Sequence, residues 1–268
     1  MDSIDFGRSC ETIPANAKLP FHFKRALRIG VKPPRPHGNI MAKGSPFAYG
    51  PAMSETPISD NPYSAANIEI LTGLEAIRRR PMMYVGSLDA PELPSHLLLE
   101  AVCHAIDEVI DGTCTAVTIG VTDELSAWVE YDAGMSLEPI APTGDIPAAE
   151  AFLLHVSGCH NLKKHIAIGD RHCRFGLAVL NAFSEELIAT THCSGKSATL
   201  CFAKGLMEPY RIELTDRADH TRIAFKLDRT LIPGAFDRAL IAREVAALGK
   251  DYPQALFLFD GERSDAAD

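Results

Sequence analysis

Apolar residues at Leu97, Leu98, Ala101, Val102, Ala105, Ile106, Val109 and Ile110 recur at spacings of three and four. That period predicts a helix over Leu97–Gly112 with one buried stripe. Its remaining face carries Glu100, His104, Asp107, Glu108 and Asp111. Glu100 and His104 stand four apart, so they lie one turn above each other. A carboxylate over an imidazole on a half-apolar helix is either a reactive edge or the solvated edge of the helix, and spacing leaves both open.

The rest of the chain arranges itself around that helix. Residues 1–62 hold half of the chain's 18 prolines and no sustained period, which predicts an extended, disordered leader with a short helix near Phe21–Leu27. Met41 and Met53 are further candidate starts within it. Ile68–Arg79 reads as a short helix stopped by Pro81. GSLDAPELP is a turn region. Beyond Gly112 the period becomes two: Ala116–Val121 and Ser126–Tyr131 alternate around the turn Thr122-Asp123-Glu124, a hairpin. Pro147–Val156 is helical, Gly158–Cys173 irregular, and Phe175–Phe183 a short apolar helix. Strands follow at Leu187–His192, Ser197–Ala203, Tyr210–Leu214 and Thr221–Leu227. A final helix spans Ala235–Leu248, with Gly249 as its C-cap, then a strand over Ala255–Phe259 and a frayed tail from 263. Helices come first and strands dominate later. The expected fold is α+β, a two-layer sandwich with a mixed, mostly antiparallel sheet and helices on one face. The expected domains are the leader, a globular body over 63–262, and the tail.

Charge and cysteine usage narrow the function classes. The chain of 268 residues has a net charge of −9, which argues against wrapping nucleic acid directly. The leader is the exception: through Lys43, Arg8, Lys18, Lys24, Arg25, Arg28, Lys32, Arg35 and Lys43 outweigh Asp2, Asp5 and Glu11. No apolar run reaches the roughly 20 residues that span a bilayer, and the N-terminus lacks a basic-then-apolar signal pattern. A cytoplasmic location is expected. The seven cysteines show no disulfide spacing. Four of them adjoin a histidine: Cys103-His104, Cys159-His160, His172-Cys173 and His192-Cys193.

Three stretches then narrow the class. YSAANIEILTGLEAIRRRPMMYVGS, LLLEAVCHAIDEVIDGTCTAVTI and VEYDAGMSL resemble the N-terminal ATPase domain of the B subunits of bacterial DNA gyrase and topoisomerase IV, members of the GHKL superfamily. Gly73–Arg78 and Arg80–Gly86 match the family's opening motif nearly residue for residue. The resemblance continues through HVSG, GLAVLNAFS and HTRIAFKLD to about Asp260, and it leaves out the leader. It stops short of the family's transducer domain, with its γ-phosphate lysine, and of the DNA-gating domains.

The resemblance implies roles position by position. Glu100 stands where the family has the general base that orients the attacking water. The family's Asp-Asn, whose asparagine ligates Mg²⁺, is Cys103-His104 here. Asp132 matches the aspartate that bonds the adenine amino group, although Ala-Gly-Met-Ser follows it, without one glycine and the arginine of the motif. Thr221 matches the adenine-side threonine, after His220 instead of glycine. The family's glycine-rich run, whose amides cradle phosphate, is Asp170-Arg171-His172-Cys173-Arg174-Phe175-Gly176. Gly176 alone is kept, and Arg171 and Arg174 offer side-chain contacts to phosphate instead.

Three functional readings follow. The first is a degenerate domain that acts by binding and regulation, with ATP hydrolysis lost because its metal and phosphate machinery is gone. The second is an ATP- and Mg²⁺-binding ATPase component of a type II topoisomerase. The third is a Zn²⁺ site in the former pocket, drawn from Cys103, His104, Cys159, His160, His172 and Cys173 beside Glu100. The partners implied are proteins, with gyrase or topoisomerase IV subunits first and a second copy of the chain next. Nucleic acid contact is expected only through the basic leader, and no membrane contact is expected.

Overall fold

The computed structural model describes residues 73–140, 144–156, 165–166, 169–171, 173–260 and 262–263. The leader, the first part of the Ile68–Arg79 helix and most of the 158–173 stretch lie outside these. The described residues fall within one compact unit running from Leu71 to Asp268.

The hairpin forms where the period-two pattern puts it. β1 (Ala116–Val121) and β2 (Ser126–Tyr131) pair antiparallel, Val117 opposite Tyr131. β2 pairs with β7 (His220–Leu227), which pairs with β3 (Ser184–Cys193), which pairs with β4 (Lys196–Ala203). Short strands β5 (Leu206–Met207) and β6 (Glu213–Leu214) both join β4. On the other side β8 (Leu256–Phe259) runs parallel to β1, and β9 (Glu262–Arg263) closes that edge. The order is β5-β4-β3-β7-β2-β1-β8-β9, an open, mostly antiparallel sheet. The α+β architecture expected from the element pattern is the one observed.

One face of the sheet carries the core. Val117, Ile119, Val129, Tyr131, Ile223 and Phe225 are buried, alternating with outward residues as a pleated strand requires. Against them pack α3 (Leu93–Glu100) and α4 (Cys103–Asp111), together with α6 (Leu177–Phe183). The other helices are α1 (Glu75–Arg79), α2 (Met82–Val85), α5 (Ala148–Leu154) and α7 (Arg238–Asp251).

Several boundaries differ from expectation. The central helix is two helices. It starts earlier, at Leu93, with Pro94 in its first turn, where a missing N–H is harmless. It breaks at Ala101-Val102, whose amides bond the carbonyls of Leu98 and Leu99, three residues back. No glycine or proline marks the break. Ile110, assigned to the buried stripe, is 38% exposed, whereas Glu100, His104 and Asp107 on the polar edge are buried. The solvated-edge reading is therefore overturned for these three. Pro81 does end α1, and it then serves as the N-cap of α2. Gly249 is interior to α7, whose C-cap is Tyr252. The strand expected at Tyr210–Leu214 shrinks to β6, and the strand expected from Leu187 begins earlier, at Ser184.

The opening motif is fixed by charge. Arg78 forms an ion pair with Asp228 at the end of β7 and donates to the Ala182 carbonyl of α6 at 2.7 Å. A short local motif thereby clamps two distant elements.

Candidate functional site

Glu100 closes α3 with its carboxylate turned inward. Oε1 accepts the amide of Arg174 at 2.9 Å, and Oε2 accepts those of Phe175 at 3.1 Å and Gly176 at 2.7 Å. Three successive amides of the run matched to the phosphate loop thus converge on one side chain. Gly176 adopts φ 88° as N-cap of α6, a conformation that a side chain disfavours. The kept glycine follows from this geometry.

His104, one turn on, faces a cavity of about 330 Å³. Its Nδ1 lies 3.1 Å from the Tyr131 hydroxyl, and its ring meets Phe152 edge-on with centroids 5.1 Å apart. Burial holds the Tyr131 phenol well above its ordinary range, so it stays protonated and able to donate to that nitrogen. The cavity is acidic: Asp107, Glu108 and Asp219 line it, and no lysine or arginine is among the described residues around it. Gly134 and Cys193 complete one wall. A Cβ on Gly134 would sit 2.3 Å from the His192 carbonyl oxygen and 2.6 Å from Cys193 Cβ. The glycine kept from the adenine motif is thus demanded by close strand packing.

The two adenine-side candidates separate. Thr221 is fully buried, donates to the Ala133 carbonyl at 2.8 Å and lies 3.0 Å from the Thr191 hydroxyl. The Met135 amide donates to Thr191 at 2.8 Å and to Thr221 at 3.3 Å. These two threonines stitch the 133–135 segment to the sheet. Asp132 is not brought to the cavity. Its carboxylate accepts the amides of Thr115 at 2.8 Å and Ala116 at 3.0 Å, on the exposed side. Burial opposes its ionisation, but the Thr115 and Ala116 hydrogen bonds prevail and lower its pKa. Tyr131 is the residue in register with Thr221. Because side chains alternate along a strand, Tyr131 holds the inward position at this strand end.

The arginines expected to offset the lost glycines point elsewhere. Arg171 pairs with Glu244 at 3.3 Å and Asp251 at 3.6 Å on α7. Arg174 donates to His96 Nδ1 at 3.1 Å on α3; burial and this neighbouring charge lower the His96 pKa. Asp107 accepts the amides of His165 at 2.8 Å and Ile166 at 3.4 Å, and Asp111 lies 2.7 Å from His165 Nε2. The polar edge of α4 therefore holds His165 and Ile166 against it.

The proposed metal residues divide as well. Cys159, His160 and His172 lie outside the described residues. His104 turns to the cavity. Cys103 and Cys173 gather with Glu100, their ligand atoms within 4.8 Å of one another. Of the His192-Cys193 pair, His192 bonds Ser197 Oγ at 2.9 Å while Cys193 lines the cavity. Burial raises the Cys193 thiol. Cys201, on β4, is disulfide-bonded. Sequence reasoning missed Tyr131 and Asp219 beside the cavity and Thr191 as the partner of Thr221, and it named Cys193 only as one of the cysteines that adjoin a histidine. The signal within reach was register: inward positions follow from the β2–β7 pairing once Thr221 is placed.

No family model matches the chain. It is 30% identical to the B subunit of DNA gyrase from Campylobacter jejuni over 205 residues, 75% of this chain and 26% of that protein. The B subunit of DNA topoisomerase 4 from Staphylococcus epidermidis is 33% identical over 172 residues, 63% of this chain and 26% of the relative. The type 2 topoisomerase B subunit of Aquifex aeolicus is 29% identical over 217 residues, 79% and 26%. The chain spans about a quarter of the length of these curated relatives. Similarity at this level, on an open, mostly antiparallel sheet covered by helices, identifies the chain as carrying a domain of the type found in the B subunits of DNA gyrase and topoisomerase IV, with the GHKL fold.

Proposed function

We propose that this domain acts by binding a protein partner and does not hydrolyse ATP. The observation that carries the reading is the Glu100 carboxylate seated on the amides of Arg174, Phe175 and Gly176. A general base must be within reach of a water, and a phosphate cradle needs its amides turned to phosphate. Here each occupies the other. The residues present do not fit Mg-ATP. His104 replaces the asparagine that the family resemblance gives as metal ligand, and it is engaged by Tyr131. Asp107, Glu108 and Asp219 repel a triphosphate, and Arg171 and Arg174 are turned to other partners.

Calorimetry with Mg-ATP, alongside a turnover assay, tests this. The expected result is no saturable binding below the millimolar range and no turnover above background. Tight binding with turnover that vanishes in Glu100→Ala overturns it and supports the other reading, an ATPase component of a type II topoisomerase. That reading draws on the retained Glu100 and Thr221 and on the relatives' names. Candidate partners are gyrase or topoisomerase IV subunits, or a second copy of the chain. Co-precipitation from native extract that enriches no topoisomerase component counts against the first.

A further inference from the structure

We propose that Glu100, Cys103 and Cys173 form a buried site for a soft divalent cation, with Zn²⁺ the best match. Glu100 ends α3, Cys103 opens α4 three residues later across the helix break, and Cys173 lies in the run before α6. All three are buried, Glu100 at 1% and both cysteines at 0% exposure. Their ligand atoms lie within 4.8 Å of one another, and Cys103 Sγ is 3.7 Å from Glu100 Oε2. A tetrahedral Zn²⁺ with Zn–S of about 2.3 Å and Zn–O of about 2.0 Å sets its ligand atoms roughly 3.3–3.8 Å apart. The carboxylate–thiol pair already meets that spacing, and Cys173 needs at most a shift of about 1 Å.

The chemistry of the donors selects the ion. Two thiols favour Zn²⁺ over Mg²⁺ or Ca²⁺, which take oxygen ligands. The three amides on Glu100 act as its outer shell, fixing the carboxylate and offsetting its charge. On binding, each thiol gives its proton to solvent: two RSH and one Zn²⁺ become Zn(SR)₂ and two H⁺, with no change of oxidation state. Among the described residues three protein ligands gather, and the fourth position is open to a further side chain, water or an added anion. The ion would cross-link α3, α4 and the loop before α6, where the family resemblance implies Mg²⁺ at the neighbouring asparagine position. The site is independent of the ATP reading, since titration with metal alone decides it.

The full chain, reduced and stripped with chelator, is titrated with Co²⁺ and then Zn²⁺. The expected result is one ion per chain, with thiolate-to-cobalt charge-transfer absorption and the strong visible bands of a tetrahedral ion, displaced by Zn²⁺. Cys103→Ser and Cys173→Ser should each weaken binding by more than the roughly 10–100-fold that loss of an outer-shell partner costs, whereas Cys193→Ser should not change it. If a serine variant fails to fold, the cobalt spectrum of a chain in which Cys10, Cys114, Cys159, Cys193 and Cys201 are all replaced by serine still decides, because thiolate absorption then comes from Cys103 and Cys173 alone, and its absence overturns the site. Absence of stoichiometric binding overturns the site. So does binding that both variants retain, or a Cys103–Cys173 disulfide in place of two titratable thiols in the purified chain.

Discussion

The carboxylate of Glu100 accepts the amide of Gly176 at 2.7 Å, the shortest of the three N–H bonds that tie α3 to the start of α6. A buried acceptor of three amides holds structure, and its removal leaves buried donors unpaired. Glu100→Ala is expected to destabilise the domain by about 3 kcal/mol, a fall of roughly 6–12 °C in Tm for a domain of this size. Glu100→Gln, which keeps an acceptor, should lose less. Denaturant and thermal melts check this, and a neutral or stabilising Glu100→Ala would mean that the carboxylate serves chemistry instead.

Asp228 makes stability acid-sensitive. Burial opposes its ionisation, but hydrogen bonds from Thr230 and Arg78 prevail and hold its pKa at about 2. A carboxyl depressed in the folded state stabilises at pH above its unfolded value of about 3.9, and that contribution drains away as pH falls through the folded one. About 2 kcal/mol should be lost between roughly pH 4 and 2. In Asp228→Asn the urea midpoint should be lower at pH 7, and its slope across that window shallower.

Gly134→Ala should be among the most damaging small substitutions. The new Cβ would meet the His192 carbonyl oxygen at 2.3 Å, a backbone atom held in the β3–β7 ladder. Overpacking costs roughly 1–3 kcal/mol, and a clash with backbone belongs at the upper end of that range. A melt within about 1 °C of the unmodified chain, on the scale of roughly 2–4 °C per kcal/mol, would show that the 133–135 segment gives way freely.

His104→Asn reinstates the residue type that the family resemblance gives for the metal ligand. On the proposed reading it does not confer Mg-ATP binding, because Glu100 still covers the loop amides and the cavity stays acidic. It also breaks the Tyr131 contact, at a cost of about 1 kcal/mol. Calorimetry on this variant beside the unmodified chain checks this; saturable Mg-ATP binding by the variant alone would show that position 104 by itself controls nucleotide binding.

Local pattern determined the hairpin at Ala116–Tyr131, the strands β3, β4 and β7, the helix over Leu177–Phe183 and the α+β class. Each of these rests on a period of two or 3.6 that neighbouring residues alone impose. The motif residues around Arg78 and Glu100 were legible through the family resemblance, as residue types at fixed positions. What those side chains do was not. Glu100 bonds amides 74 to 76 positions away, Asp107 holds the loop at His165, and Asp132 turns outward while Tyr131 takes the inward place beside Thr221. The break at Ala101-Val102 has no local breaker, and it coincides with the point where the buried carboxylate is captured by those amides. Strand register and long-range hydrogen bonds decide such matters, because a side chain's partners are set by which elements meet. The family resemblance placed Glu100 at the general-base position, and only the packed structure shows its carboxylate seated on the amides of Arg174, Phe175 and Gly176.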